Sequence, residues 1–185
     1  MRFRPLLLVL SSTALFACAA HAQSAAEYEV MKAKLAELAK TQATETRNLA
    51  NFDDLDFNVY SGQKWDLLSK SHSSDIAVHY PDGHITKGLP AHIEELKSMF
   101  VFAPDAKVRE HPIRIASGDW TAVSGTIEGT FSRPMDGGGG KMIAPTGKPF
   151  KLSMVTIGHW KGGVMDEEWL MWDNMSFMKQ IGLAP

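Results

Sequence analysis

Disulfide chemistry is the first thing this sequence excludes. Its single cysteine, Cys18, lies in a stretch whose removal is expected, which leaves the rest of the chain without a disulfide, a thiolate nucleophile or a cysteine-ligated metal. It also has no Lys/Arg block, and a formal net charge of -2 offers little for the counterion release that drives binding to nucleic acid or an anionic membrane surface. Beyond the N-terminal stretch, no apolar run approaches the ~20 residues a membrane-spanning helix needs. Small molecules and other proteins remain as partners.

What is present starts with an export signal. Arg2 and Arg4 precede the apolar run "PLLLVLSSTALFACAA", which ends in the small-x-small pattern Ala20, His21, Ala22. Residues 1-22 read as a secretory leader, and the mature chain is expected to be periplasmic or secreted. "LFAC" also resembles a lipoprotein box with Cys18 as the lipidated residue, although Phe16 is bulky for that motif. Of the whole sequence, 44% is hydrophobic and 22% charged, a balance that suits one globular domain with a real core.

From Ser24 to about Leu49 the residues are helix formers, with Tyr28, Met31, Leu35, Leu38 and Leu49 spaced as an apolar stripe. Ser61 and Gly62 break the pattern, and a short helix is predicted from Trp65 to near His72. In "DIAVHY" (75-80), Ile76, Val78 and Tyr80 alternate with Ala77 and His79, which predicts a strand stopped by "PDG". "GLPAHIEELKSMF" reads as a helix with Pro90 in its first turn, and the rest is mainly strands up to a last helix starting at Asp173. The expected organisation is a leader (1-22), a helical segment (23-60) and an α+β domain (61-185) whose mostly antiparallel sheet of four or five strands is covered by helices.

Two motifs dissolve on inspection. "GGGGKM" and "PTGK" lack the Ser or Thr that a phosphate loop places after its Lys, so the glycines read as a hairpin connection. "HYPDGH" puts His79, Asp82 and His84 close together, but their spacing fits no standard metal site and Pro-Asp-Gly is sufficient as a turn. No metal and no cofactor are expected.

Strand parity sets Glu167, Trp169, Met171 and Asp173 on one face, joined by Ser153, Val155, Ile157 and His159 if "KGG" is a hairpin turn. That face carries carboxylates, an imidazole and apolar surface, so it is the expected lining of a pocket. Asp173 is also well placed as the N-cap of the helix "NMSFMKQI", with Gly182 as its stop.

From Trp65 to Leu183 the chain resembles the SnoaL-like polyketide cyclases, or ester cyclases, of the nuclear-transport-factor-like superfamily. The resemblance rests on "DIAVHYPDG", "GLPAHIEELKSMF", "GDWTAVSGTIEGTF", "PTGK" and above all "GVMDEEWLMWDNMSFMKQIGL". It implies a cone in which a curved sheet wraps a long helix around a pocket. It also implies that Asp173 is a general acid and base for an intramolecular aldol closure on an apolar or aromatic carbonyl compound, without a cofactor. His159 falls at the position of the cyclases' partner histidine. A hairpin turn at 161-163, however, would set Asp173 opposite Lys151, eight residues or roughly 26 Å from His159, which argues against a direct dyad. His79, Glu167, Trp169, Met171 and Trp65 complete the expected substrate-binding set. A homodimer through the outer sheet face is expected, and the alternative to an enzyme is a module on the same fold that binds a ligand or dimerises without catalysis.

Overall fold

The computed structural model describes residues 12-185, with side chains from Ser24 onward. The start of the expected leader lies outside the described residues, as do the side chains of its remainder, Cys18 included. The described residues divide into two units, one ending at Gln42 and the other running over Ala43-Pro185. Helix α1 (Ser12-Asp54) accounts for the described part of the first, where the stripe Tyr28, Met31, Leu35 and Leu38 is exposed. No helix among the described residues is long and apolar enough to cross a membrane.

The second unit begins well before residue 61. The end of α1 and its continuation bury Asn48, Phe52, Leu55, Asp56, Val59 and Tyr60, a run of three- and four-residue steps along one helical face. Its last turn widens into a π-helix, Leu55-Tyr60, a local form that is frequent at functional sites. A 3-10 turn (Trp65-Lys70) replaces the predicted short helix and stops two residues early, so that β1 (His72-His79) begins at His72.

The remaining elements are β2 (Ile85-Lys87), α2 (Leu89-Phe102), β3 (Lys107-Val108), β4 (Ile113-Ser117), β5 (Trp120-Thr130), β6 (Met135-Asp136), β7 (Met142-Ile143), β8 (Pro149-Lys161), β9 (Val164-Trp172) and α3 (Asn174-Gln180). Seven strands form one curved, unclosed sheet in the order β2-β1-β9-β8-β5-β3, with β4 also on β5, rather than the four or five expected. Among the described residues, only the β1-β9 pair runs parallel. The glycine-rich connection is the hairpin β6-β7, whose Gly138, Gly139 and Gly140 all take the positive φ that residues with side chains resist.

A bulge between His159 and Trp160 sets Met154 opposite Trp172, so Lys151 is not the residue facing the end of β9. Two apolar clusters hold the unit together. Phe100, Phe102, Phe131, Phe150 and Phe177 anchor one, and Phe52, Leu68, Ile76, Trp160 and Met165 the other, with Leu96 packed against both.

Candidate functional site

A cavity of about 270 Å³ opens where the two clusters meet, lined by Leu55 and Leu170 from one side and Tyr60, Ile127 and Leu152 from the other. Its polar groups come from four elements: Asp56 on the π-helical turn, His72 at the start of β1, His92 on α2 and Glu168 on β9. Tyr80, just past β1, joins them, and Asp82, His84, Glu95, Ser98, Thr156 and Asn174 supply the remaining polar lining.

Parity explains how β9 contributes. Glu168, Leu170 and Trp172 point into the cavity, so Glu167, Trp169 and Met171 take the outer face. The same alternation on β1 turns Val78 and Tyr80 inward and His79 outward. The residues expected as pocket lining are therefore gathered on the side of the sheet that the cavity does not use. There Trp169 stacks on His79 at 4.8 Å and lies 5.7 Å from Trp120, while His79 binds Glu167 at 2.9 Å. His159 packs on Trp120 and contacts Asp166 at 2.6 Å. Trp65, also expected in the pocket, packs against Tyr60 and Phe100 instead.

Asp173 is the N-cap of α3, and its carboxylate accepts the backbone N-H groups of Met175 and Ser176 at 2.9 and 3.0 Å. The Ser176 bond is the main cause holding this exposed carboxyl below the usual Asp range. Asp173 lies in a shallow outer groove with Ser153, Val155 and Met171. Its neighbour Trp172 pairs with Met154, five positions along β8 from His159 (159 - 154 = 5). At about 3.3 Å per residue that is about 17 Å, so Asp173 and His159 form no dyad.

Asp56 differs from Asp173 in every respect. It is 8% exposed, and His111 Nε2 meets its Oδ2 at 2.8 Å. The other ring nitrogen of His111 meets Asp53 Oδ1 at 2.8 Å, and Arg114 holds Asp53 Oδ2 at 2.7 Å. A polar chain therefore runs from the cavity wall through a buried imidazole to a half-exposed guanidinium. Phe57 stacks on the His111 ring at 4.4 Å and limits its rotation.

Burial pushes the Asp56 carboxyl up, and His111 only partly offsets it. Burial pulls His111 down, but the hydrogen bonds to Asp56 and Asp53 outweigh it and raise this imidazole above its ordinary value. Together the pair holds protons more firmly than the separate groups would in water.

Glu168 is 3% exposed, with His72 Nε2 at 3.7 Å and His92 Nε2 at 3.5 Å. Burial alone would raise its carboxyl, yet the interactions with the two histidines hold it below the usual Glu value. His92 is pushed down to about 4, chiefly by burial, so its ring is neutral at pH 7. Tyr80, raised to about 12 mainly by burial, keeps its phenolic hydrogen and contacts His92 Nδ1 at 2.9 Å.

Sequence reasoning missed these groups for identifiable reasons. The sequence pattern sets His72 at a helix end, Glu168 on the parity opposite the expected lining, and Asp56 before the domain. The available signal for Asp56 was a carboxylate inside the apolar helical stripe Phe52, Leu55, Val59 and Tyr60.

The family model for SnoaL-like polyketide cyclases matches residues 55-181, with both Asp56 and Glu168 inside the match. The chain belongs to that family. No curated protein matches it by sequence. Among solved structures, a proposed SnoaL-like polyketide cyclase from a Jannaschia species superposes with a TM-score of 0.66 at 19% identity, covering 76% of this chain and 94% of that one. IdmH, a proposed polyketide cyclase from Streptomyces antibioticus, gives 0.62 at 19%, covering 73% and 98%. A proposed polyketide cyclase from Xanthomonas campestris gives 0.64 at 15%, covering 75% and 99%. At these identities the structural likeness speaks for the fold. The α1 helix (Ser12-Asp54) precedes the matched region.

Proposed function

We propose that this SnoaL-like chain is a cyclase- or isomerase-type enzyme acting on an apolar or aromatic carbonyl compound, with Asp56 as its general base and acid. The observation that carries the reading is the buried Asp56 carboxyl in the cavity wall, backed by His111 and Asp53. A buried carboxyl raised above the ordinary Asp range is a stronger proton acceptor than a free one, whereas the capping carboxylate of Asp173 is committed to two backbone N-H groups. The acid-base role expected for Asp173 is thus assigned here to another aspartate.

In the proposed reaction, the Asp56 carboxylate removes the proton α to a carbonyl, and the C-H electron pair becomes the enolate π bond. The neutral Tyr80 phenol donates to the enolate oxygen. In a cyclase substrate the enolate carbon then bonds to a second carbonyl carbon, whose oxygen takes up the proton. His111 stays in place between Asp56 and Asp53 and holds the Asp56 carboxylate at a fixed angle, as an orienting group does in other proton-transfer sites.

The test is solvent-deuterium uptake at the α carbon of aryl ketones such as α-tetralone, followed by NMR. Asp56→Asn should slow uptake by roughly 10²-10⁴-fold, and Asp173→Asn should leave it within about threefold. Uptake that survives Asp56→Asn defeats the assignment. Absence of uptake by the unaltered chain on every ketone, with tight ligand binding retained, identifies a binding module.

Export and a homodimer belong to the same proposal. The leader-like residues 1-22 support the first. Exposed apolar residues on and beside the outer face, including Ile113, Ile115, Trp120, Val155 and Met171, support the second.

A further inference from the structure

In the cavity wall, two imidazoles and a carboxylate converge on one point. The Nδ1 of His72 contacts the Leu68 carbonyl at 3.3 Å and the Ser71 hydroxyl at 2.9 Å. A carbonyl only accepts, so with the Ser71 hydrogen directed at that same carbonyl at 3.1 Å the ring hydrogen sits on Nδ1. In the neutral ring this leaves Nε2 as a bare lone pair aimed at Glu168. Both that Nε2 and Glu168 Oε2 are buried without any hydrogen-bond partner. If His92 donates its Nδ1 hydrogen to the Tyr80 oxygen, its Nε2 is a third lone pair in the same place.

Buried acceptors that face one another repel unless a cation lies between them. A single shared proton does not resolve this arrangement, because the separations of 3.5 and 3.7 Å exceed hydrogen-bond length and the carboxylate faces two nitrogens. A metal ion does resolve it. Zinc bonds of about 2.0-2.1 Å in tetrahedral geometry place ligand atoms roughly 3.4 Å apart, and here all three ligand groups lie within 4.8 Å of one another. Two imidazoles and one carboxylate with a vacant fourth position are a donor set suited to zinc and its neighbours.

We propose that His72 Nε2, His92 Nε2 and a carboxylate oxygen of Glu168 bind one divalent transition-metal ion of the zinc class, with its open coordination position towards the cavity. Ser71 with Leu68, and Tyr80, then act as the outer partners that fix the two ring orientations. Donation from His92 to the Tyr80 oxygen also frees the phenolic hydrogen for a ligand. A bound ion would polarise a carbonyl oxygen beside Asp56. The metal site goes beyond the proposed acid-base function and does not depend on it, because binding is read without turnover.

The experiment uses the untagged chain without its leader, stripped with EDTA and dialysed against Zn²⁺ or Co²⁺. One Zn²⁺ per chain is expected, with cobalt d-d bands of a four-coordinate site and a zinc absorption-edge spectrum that fits two imidazoles. His72→Ala or His92→Ala should weaken uptake by more than about 100-fold, and Glu168→Gln should weaken it clearly. Asp56→Asn should bind metal normally while losing deuterium uptake, which separates this proposal from the acid-base one. His84→Ala tests the His84-Asp82 contact at the cavity rim, where His84 stacks on Tyr80, as a competing site; one Zn²⁺ per chain should still bind. No saturable uptake, one imidazole or none in the zinc spectrum of the unaltered chain, or uptake that persists in both histidine variants would overturn the proposal. If a variant fails to fold by circular dichroism, the spectrum of the unaltered chain decides.

Discussion

Glu167 and Glu168 are adjacent on β9 and meet opposite surroundings. Glu167 is half exposed and pairs with His79 at 2.9 Å on the outer face, beside Trp169 and Trp120. Glu168 is buried in the cavity wall, where two imidazoles approach without making a hydrogen bond. By distance alone the outer pair is the better contact. Solvent reverses that ranking, since a screened surface pair contributes about 0-1 kcal/mol whereas a buried charge is costly to leave alone. The outer face is thus a satisfied surface, and the inner face holds polar groups that protein atoms leave incompletely paired.

The comparison can be attacked first through aromatic residues on the two faces. Trp160→Ala removes a fully buried side chain whose indole N-H donates to Thr121 at 2.8 Å, and should cost about 3-5 kcal/mol in urea unfolding. Trp169→Ala, on the outer stack, should cost about 1 kcal/mol. Equal losses would mean that the two faces are not the core and the surface.

The glutamates themselves sharpen the contrast. Glu168→Ala is expected to destabilise by about 3 kcal/mol and Glu167→Ala by less than about 1, by the same unfolding measurement. A Glu167 variant as damaging as the Glu168 variant would erase the distinction.

A smaller effect concerns pH. The His111 imidazole has its folded pKa raised above its unfolded value, chiefly through Asp56 and Asp53 working against burial. Its contribution to stability is therefore complete below the unfolded value of about 6.5 and is lost as pH rises through the folded value. The stability gap between the unaltered chain and His111→Asn, tracked by thermal unfolding from pH 5 to 9, should narrow towards the alkaline end. A gap that widens there contradicts the assignment.

The smallest effect belongs to the outer-face cap. Asp173→Ala should lower Tm by about 2-4 °C and Asp173→Asn by almost nothing, because Asn also accepts the Met175 and Ser176 N-H groups. A large loss of deuterium uptake in Asp173→Asn would return the chemistry to the outer groove.

Much of this was legible in the chain. The fold class, the β8-β9 hairpin at "KGG", the grouping of Glu167, Trp169 and Met171 on one face and the cap at Asp173 all follow from local rules: alternation, turn chemistry and capping. Those rules act over a few residues, so a sequence displays them directly. The site was less legible. Alternation says that Glu167 and Glu168 face opposite ways but not which one faces inward. Equally, the apolar content of "EEWLMW" does not decide the matter, because both of its faces carry large hydrophobic residues.

By itself, then, the sequence determined the strands, their parity, the cap and the family to which the chain belongs. Only the tertiary structure decided that the inward face is that of Glu168, Leu170 and Trp172, and that Asp56, His72 and His92 share its cavity. The physical reason is that inward is defined by what covers the sheet. Here the cover comes from the end of α1 and from α2, whose packing against β1, β8 and β9 depends on contacts far apart in the chain.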